Sequence, residues 1–117
     1  MQNYLLLLRG GNSFFGAMNP EQIQTTVGQY RAWGERLRES GRMVGSNKLE
    51  DDSGRVLEAN GSGKPKVTDG PFAETKDVVG GYYMIQADSF EDAVEIAQGC
   101  PHIQFGTIEI RRIEVLR

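Results

Sequence analysis

The chain holds one cysteine and one histidine in 117 residues, and no block of lysine or arginine stands alone. Each scarcity removes a class of answers. A lone Cys100 permits no intrachain disulfide, so a reducing compartment fits best. His102, two residues beyond it, leaves any zinc site short, because zinc needs three or four ligands. Cys100 and His102 also lack a third group to orient them, so they make no nucleophile set. The glycines at Gly10 and Gly11 lack the lysine and spacing of a phosphate loop. No metal and no cofactor is expected. The net charge is −3, and the basic run "RAWGERLRESGR" is interleaved with Glu35 and Glu39, so it reads as a solvated helix face. Nucleic acid is therefore a poor partner. The run Leu5–Leu8 is too short for a signal peptide's apolar region of roughly 7–15 residues. It is far too short for a span of about 20. No membrane contact and a cytoplasmic location are expected.

What is present is a soluble globular composition, 38% apolar and 25% charged. The length suits one domain over residues 1–117, with a core that needs no staple. Glycine is abundant, 15 of 117 and about twice the usual share. Its placement at turns and strand starts implies many tight turns.

The pattern along the chain alternates strands and helices. "YLLLLRG" opens as a strand, and its unbroken leucines imply burial on both faces. "GNSFFGAM" reads as a loop. "MNPEQI" starts a helix: Asn19 caps, Pro20 suits the first helical position, and Gln22 completes a capping box. Ile23, Val27, Tyr30, Trp33 and Leu37 form its apolar stripe, and Gly41 ends it. "RMVGSNKLE" is a second strand, and "GRVLEANGSGKPKVTD" a hairpin turning at Asn60 to Gly63. "GGYYMIQA" is the next strand. "DSFEDAVEIAQGCP" is a helix capped by Asp88 or Ser89 and stopped by Gly99 and Pro101. "FGTIEIRRIEVL" is the last strand, and its shift of apolar phase implies a bulge or break near Arg111. Cys100 reads as a small buried residue, Tyr30 and Trp33 as core, and His102 as a helix-end residue at the surface or boundary.

The order β-α-β, hairpin, β-α-β predicts a ferredoxin-like α+β fold: an antiparallel sheet with two helices on one face. The other face then shows Leu5 or Leu6 with Tyr82 or Met84. Exposed apolar patches of that kind are usually covered, so a homodimer packed through the sheet faces is expected.

The densest chemistry is "VTDGPFAETKD", Val67 to Asp77. Gly70 tolerates positive φ, and Pro71 holds Gly70 out of the helical region. Asp69 serves either as a turn residue accepting backbone N–H bonds or as an acid/base whose pKa Phe72 and Lys76 would move. Asp69, Gly70, Pro71, Phe72, Glu74 and Lys76 are the candidate ligand contacts, with Asp69 the catalytic candidate. Arg9, at the end of the first strand, is a further anion contact.

The run from Thr68 to Pro101, with "NPEQ", "YRAWGERLRESGRMVGSNKLE" and "GTIEIRRI" around it, resembles the YCII-related, DGPF-domain family of small bacterial proteins. The resemblance covers nearly the whole chain. It implies a ferredoxin-like fold dimerised into an α/β barrel. It also implies two functional classes. Some relatives of the YciI type are small lyases acting on muconolactone-like compounds through a His and an Asp. Others are linked to extracytoplasmic-function sigma factors. Asp69 to Phe72 match the family's DGPF motif, and Glu74 and Lys76 its continuation. The lyases' histidine lies early in their chains, whereas no histidine precedes residue 102 here. Two expectations follow. One is a dimeric protein binding a small polar or anionic molecule near Asp69, as a cofactor-free lyase or isomerase if it is an enzyme. The other is a non-catalytic ligand-sensing or protein-interaction module in sigma-factor signalling.

Overall fold

The structure is a computed structural model that describes residues 1–51, 53–70 and 78–116, without the side chains of residues 12–14. It is α+β with an antiparallel sheet, compatible with the expected ferredoxin-like arrangement. Strand β1 (Gln2–Gly10) lies inside a four-stranded sheet. Helix α1 (Asn12–Ala17) and helix α2 (Pro20–Glu39) lead to β2 (Met43–Lys48). Strands β3 (Arg55–Glu58) and β4 (Lys66–Asp69) pair as a separate two-stranded sheet. Strand β5 (Val79–Ala87), helix α3 (Phe90–Gln98), a short 3-10 turn (Pro101–Gln104) and β6 (Gly106–Arg112) complete the chain. The sheet order is β2-β5-β1-β6, and every pairing is antiparallel.

Register puts Tyr4, Leu6 and Leu8 opposite Ile85, Tyr83 and Gly81 of β5. Leu6 and Leu8 also face Ile110 and Ile108 of β6. This face is the core: Tyr4, Leu6 and Ile85 are fully buried. Trp33 of α2 meets Tyr83 edge-on, with centroids 4.9 Å apart. Phe90 of α3 meets Tyr4 in the same way at 5.1 Å. Both helices therefore cover the same side of the sheet. On the other side Leu5, Leu7, Tyr82 and Met84 are half-buried, so the single chain does not bury both faces of β1 equally.

Helix α2 ends as its residues dictate. Asn19 and Gln22 exchange side-chain bonds with each other's backbone N–H, at 2.8 and 2.9 Å. At the far end Gly41, with φ 78, donates to the Arg38 carbonyl, and Arg42 donates to Leu37. Two orphan carbonyls are thereby satisfied. Helix α3 takes Ser89 as its cap, accepting from the Asp92 N–H.

Several expectations are corrected. "GNSFFGAM" contains helix α1 in place of a loop. The buried stripe of α2 runs through Thr26, Trp33, Gly34 and Leu37, while Val27 is exposed. Of the bulge or break expected near Arg111, the break is what the structure has. The register of β6 with β1 is unbroken from Gly106 to Arg112, and the apolar phase changes because the strand ends there. The bulges fall instead at Leu8/Arg9 and Met43/Gly45.

Urea unfolding should show Asn19→Ala losing about 1 kcal/mol, as lost helix caps do. Trp33→Ala should lose about 3–5 kcal/mol through the cavity it leaves. A Trp33→Ala loss below that of Asn19→Ala would mean the α2–sheet contact is not the core described.

Candidate functional site

The site is bracketed by the two described ends of the segment that begins at Asp69. At one end stands the β3–β4 hairpin, in which Leu57 faces Val67 and Arg55 faces Asp69. Asp69 is exposed, and its Oδ1 lies 3.4 Å from Arg55 Nε, with side-chain exposures of 77% and 65%. Such an open ion pair contributes little to stability. Gly70 is buried, holds φ 140, and donates its N–H to the Gly54 carbonyl at 3.3 Å. That φ is one L side chains rarely adopt, so the glycine is required there. Pro71, Phe72, Glu74 and Lys76 lie outside the described residues.

The other end arrives at Val78, whose carbonyl accepts from the Gly10 N–H at 3.2 Å. This is the end of β1, next to Arg9. The Arg9 guanidinium engages the Glu109 carboxylate, which also accepts from Arg111 at 3.2 Å. Those two arginines, Arg111 foremost, hold the Glu109 carboxyl below the usual carboxylate range. Asp69 and Arg9 thus take separate partners, one on the hairpin and one on the sheet.

The Arg9 backbone has a second role. Its carbonyl accepts from His102 Nε2 at 2.9 Å. The other ring nitrogen, Nδ1, lies 3.0 Å from the Tyr30 hydroxyl. A carbonyl can only accept, so Nε2 carries the proton in the neutral ring. Nδ1 is then an acceptor, and Tyr30 donates to it. Two glycines leave room for the ring. A Cβ at Gly106 would sit 2.2 Å from the Arg9 carbonyl oxygen and 2.7 Å from His102 Nε2. A Cβ at Gly11 would sit 3.2 Å from His102 Cε1. Phe15 stacks loosely over both Tyr30 and Phe105, at 6.3 and 5.7 Å.

His102 is 5% exposed, which corrects its reading as a surface or boundary residue. The 3-10 turn after Cys100 folds it inward, because Arg9 and Tyr30 satisfy both nitrogens there. Cys100 is buried as expected, at 1%. Burial pushes its thiol up to about 11, and pushes Tyr83 up to about 12. Burial also raises Tyr30, with the nearby Cys100 and Tyr83 adding to it. Burial lowers His102, and the bond to Arg9 only partly opposes that. The whole cluster is therefore uncharged at neutral pH. Among the described residues no group of three or more His, Cys, Asp or Glu is placed to hold a metal ion. Among them no helix is long and apolar enough to cross a membrane.

Comparison with known proteins places the chain. The YCII-related domain matches residues 3–117. The chain belongs to the YCII-related family. A YCII-related chain of this length is similar to an uncharacterised protein of Rhizobium meliloti (strain 1021). The two are 24% identical over 116 residues, covering 97% of this chain and 94% of the relative. Among solved structures it is similar to the 5-chloro-2-hydroxyhydroquinone dehydrochlorinase TftG from Burkholderia phenoliruptrix AC1100, in complex with 2,5-dihydroxybenzoquinone. That match has a TM-score of 0.49 and 14% identity, over 96% of this chain and 93% of that one.

Tyr30, His102 and Gly106 are the site residues that sequence reasoning missed. One signal was present: Tyr30 puts a hydroxyl into an apolar helix stripe, and the chain's only histidine is the one imidazole available to meet it.

The pH dependence has a definite sign. The folded chain binds the His102 proton less readily than the unfolded one, so U holds more protons as pH falls. The stability of neutral His102 is fully present above pH about 6.5, the ordinary histidine value. It is lost as pH drops toward the lower folded-state value. Urea midpoints at pH 7.5 and pH 5 should fall further for wild type than for His102→Gln. Equal falls would mean that His102 titrates alike in both states.

Proposed function

We propose that this YCII-related chain binds a small polar or anionic molecule near Asp69, with Gly70, Pro71, Phe72, Glu74, Lys76 and Arg9 as its contacts. The carrying observation is the anchoring of the segment that follows Asp69. Gly70 ties its start to the hairpin, and Val78 ties its end to Gly10. It therefore links an exposed carboxylate to the strand end whose Arg9 carbonyl accepts from the buried His102. The chemistry that suits such groups is proton transfer without a cofactor, a lyase or isomerase reaction in which Asp69 acts as acid or base. The protein works as one cytoplasmic ferredoxin-like domain and as a homodimer. The half-buried Leu5, Leu7, Tyr82 and Met84 form the contact between sheet faces, closing the dimeric α/β barrel.

One observation favours a second reading. Leu57 and Val67, opposite each other on the hairpin, are 63% and 59% exposed. The radius of gyration, 16.3 Å, exceeds the about 13 Å of a compact chain of this length. A projecting hairpin with an apolar pair suits a protein-interaction module, non-catalytic and linked to sigma-factor signalling.

Thermal melting against small carboxylates, lactones and phosphorylated metabolites separates these readings. Asp69→Asn should melt within about 0.5 kcal/mol of wild type, because the side chain is exposed. A ligand at about 100 times its dissociation constant should add roughly 2.7 kcal/mol to wild type and much less to the variant. If no compound raises the midpoint, or if both proteins respond equally, Asp69 is not a ligand contact. Sedimentation at micromolar concentration should show a dimer; a monomer would sink the sheet-face contact.

A further inference from the structure

We propose that Asn60 is a self-modification site. Its side-chain amide cyclises onto the Gly61 nitrogen and hydrolyses to aspartate and isoaspartate, at a rate that Ser62 raises. The product is a permanent carboxylate at the tip of the β3–β4 hairpin, so the reaction marks the age of each molecule. The inference goes beyond the ligand reading, since it needs no occupant at Asp69.

The first ground is the attacking nitrogen. Asn60 is the one asparagine followed by glycine. Asn3 and Asn47 lie in paired strands, and Asn12 opens helix α1 ahead of Ser13. Asn19 precedes Pro20, whose nitrogen carries no proton. Gly61 has no side chain to shield its nitrogen. It is exposed, holds φ 73, and has nothing beyond its chain neighbours within 4 Å of where a Cβ would stand. Among the described residues no backbone carbonyl accepts from its N–H. Asp69–Gly70 is the contrast. That pair has the side-chain length to cyclise, but Gly70 is buried and its N–H donates to the Gly54 carbonyl.

The second ground is the carbonyl under attack. Asn60 Oδ1 accepts from the Ser62 N–H at 3.1 Å and from Ser62 Oγ at 2.6 Å. The hydroxyl has one proton to give, and its other acceptor, the Lys64 carbonyl, is farther away at 3.4 Å. Negative charge gathers on Oδ1 as the nitrogen adds to Cγ. Two donors already aimed at that oxygen stabilise the charge as an oxyanion hole does.

The step balances with hydroxide as base and water as co-reactant. Hydroxide takes the Gly61 N–H proton, and the nitrogen pair forms a bond to Asn60 Cγ. The Cγ–Nδ2 bond breaks, and Nδ2 leaves as ammonia with a proton from water, which restores the hydroxide. Water then opens the five-membered imide. Cleavage of the new N–Cγ bond gives aspartate. Cleavage at the Asn60 backbone carbonyl gives isoaspartate, with the main chain routed through the former side chain. One water is consumed, one ammonia is released, and nothing is oxidised or reduced.

The consequence falls on the hairpin. Isoaspartate adds a methylene to the main chain of the turn that sets the pairs Glu58–Lys66 and Leu57–Val67. The two-stranded sheet has no third strand to keep that register. Either product also adds one negative charge to a net −3.

The test incubates wild type, Ser62→Ala and Ser62→Thr at pH 7 and pH 8, and follows by mass spectrometry the amide-to-acid gain of the peptide that holds Asn60. Wild type should convert about tenfold faster at pH 8, as the ionised fraction of a group far below its pKa rises. Ser62→Ala should convert about fivefold more slowly than wild type, the weight of one net hydrogen bond. Ser62→Thr keeps the hydroxyl and should match wild type. In urea, where the turn is gone, the three should converge. Hydrogen exchange of the isoaspartyl protein should show β3 and β4 amides losing protection while those of β1 keep theirs. An Asn60 that stays an amide at pH 8 overturns the proposal. So does Ser62→Ala converting at the wild-type rate, or a difference between the two that persists in urea.

Discussion

The structure depends on β1. It is hydrogen-bonded along both edges, to β5 and to β6, and one of its faces lies under both long helices. Tyr4, Leu6 and Leu8 therefore fix the core and, through register, fix which residues of β5 and β6 face it. Its last residues then leave the regular ladder. The bulge at Leu8/Arg9 shifts the pairing, so the Gly10 N–H meets Val78 and the Arg9 carbonyl meets His102. The strand that organises the core thus ends by organising the polar cluster.

That cluster is unusual for an interior. A thiol, two phenols and an imidazole share it, and each is held neutral by burial. Buried polar groups are tolerated when they are hydrogen-bonded, and here the imidazole meets that condition at both nitrogens. By contrast, the charged contacts of the protein lie outside. Arg42 reaches Asp92 at 2.7 Å near the start of α3, and Asp92 is held low first by the Asp88 N–H and then by Arg42. Arg9 and Arg111 share Glu109 on the open sheet face.

Local signals in the sequence carried much of the fold. Asn19, Pro20, Gln22 and Gly41 mark both ends of α2 because caps are local chemistry, written in adjacent residues. The Asn60 to Gly63 turn and the strands beside it are legible for the same reason. The misses are non-local. Helix α1 has the sequence signs of a loop, because Gly11 and Gly16 flank and interrupt it. Val27 sits on the right period but on the flank of the stripe, where Thr26 is buried instead. His102 looked peripheral because nothing near it in sequence is its partner. Tyr30 is 72 positions away and Arg9 is 93. Asp69 and its DGPF neighbours were conspicuous for the opposite reason: their density is local, while the fold leaves Asp69 facing solvent beside Arg55.

The separate two-stranded sheet has a consequence for how the molecule breathes. An isolated hairpin is marginal in water, because it has no third strand or helix to bury a face. Amides of β3 and β4 are therefore protected only by a local opening that costs little, whereas those of β1 are released only when the whole core comes apart. Asp69 belongs to the part that opens easily and His102 to the part that does not. The chain joins a fast-opening arm to a slow-opening body within the ten positions from Asp69 to Val78.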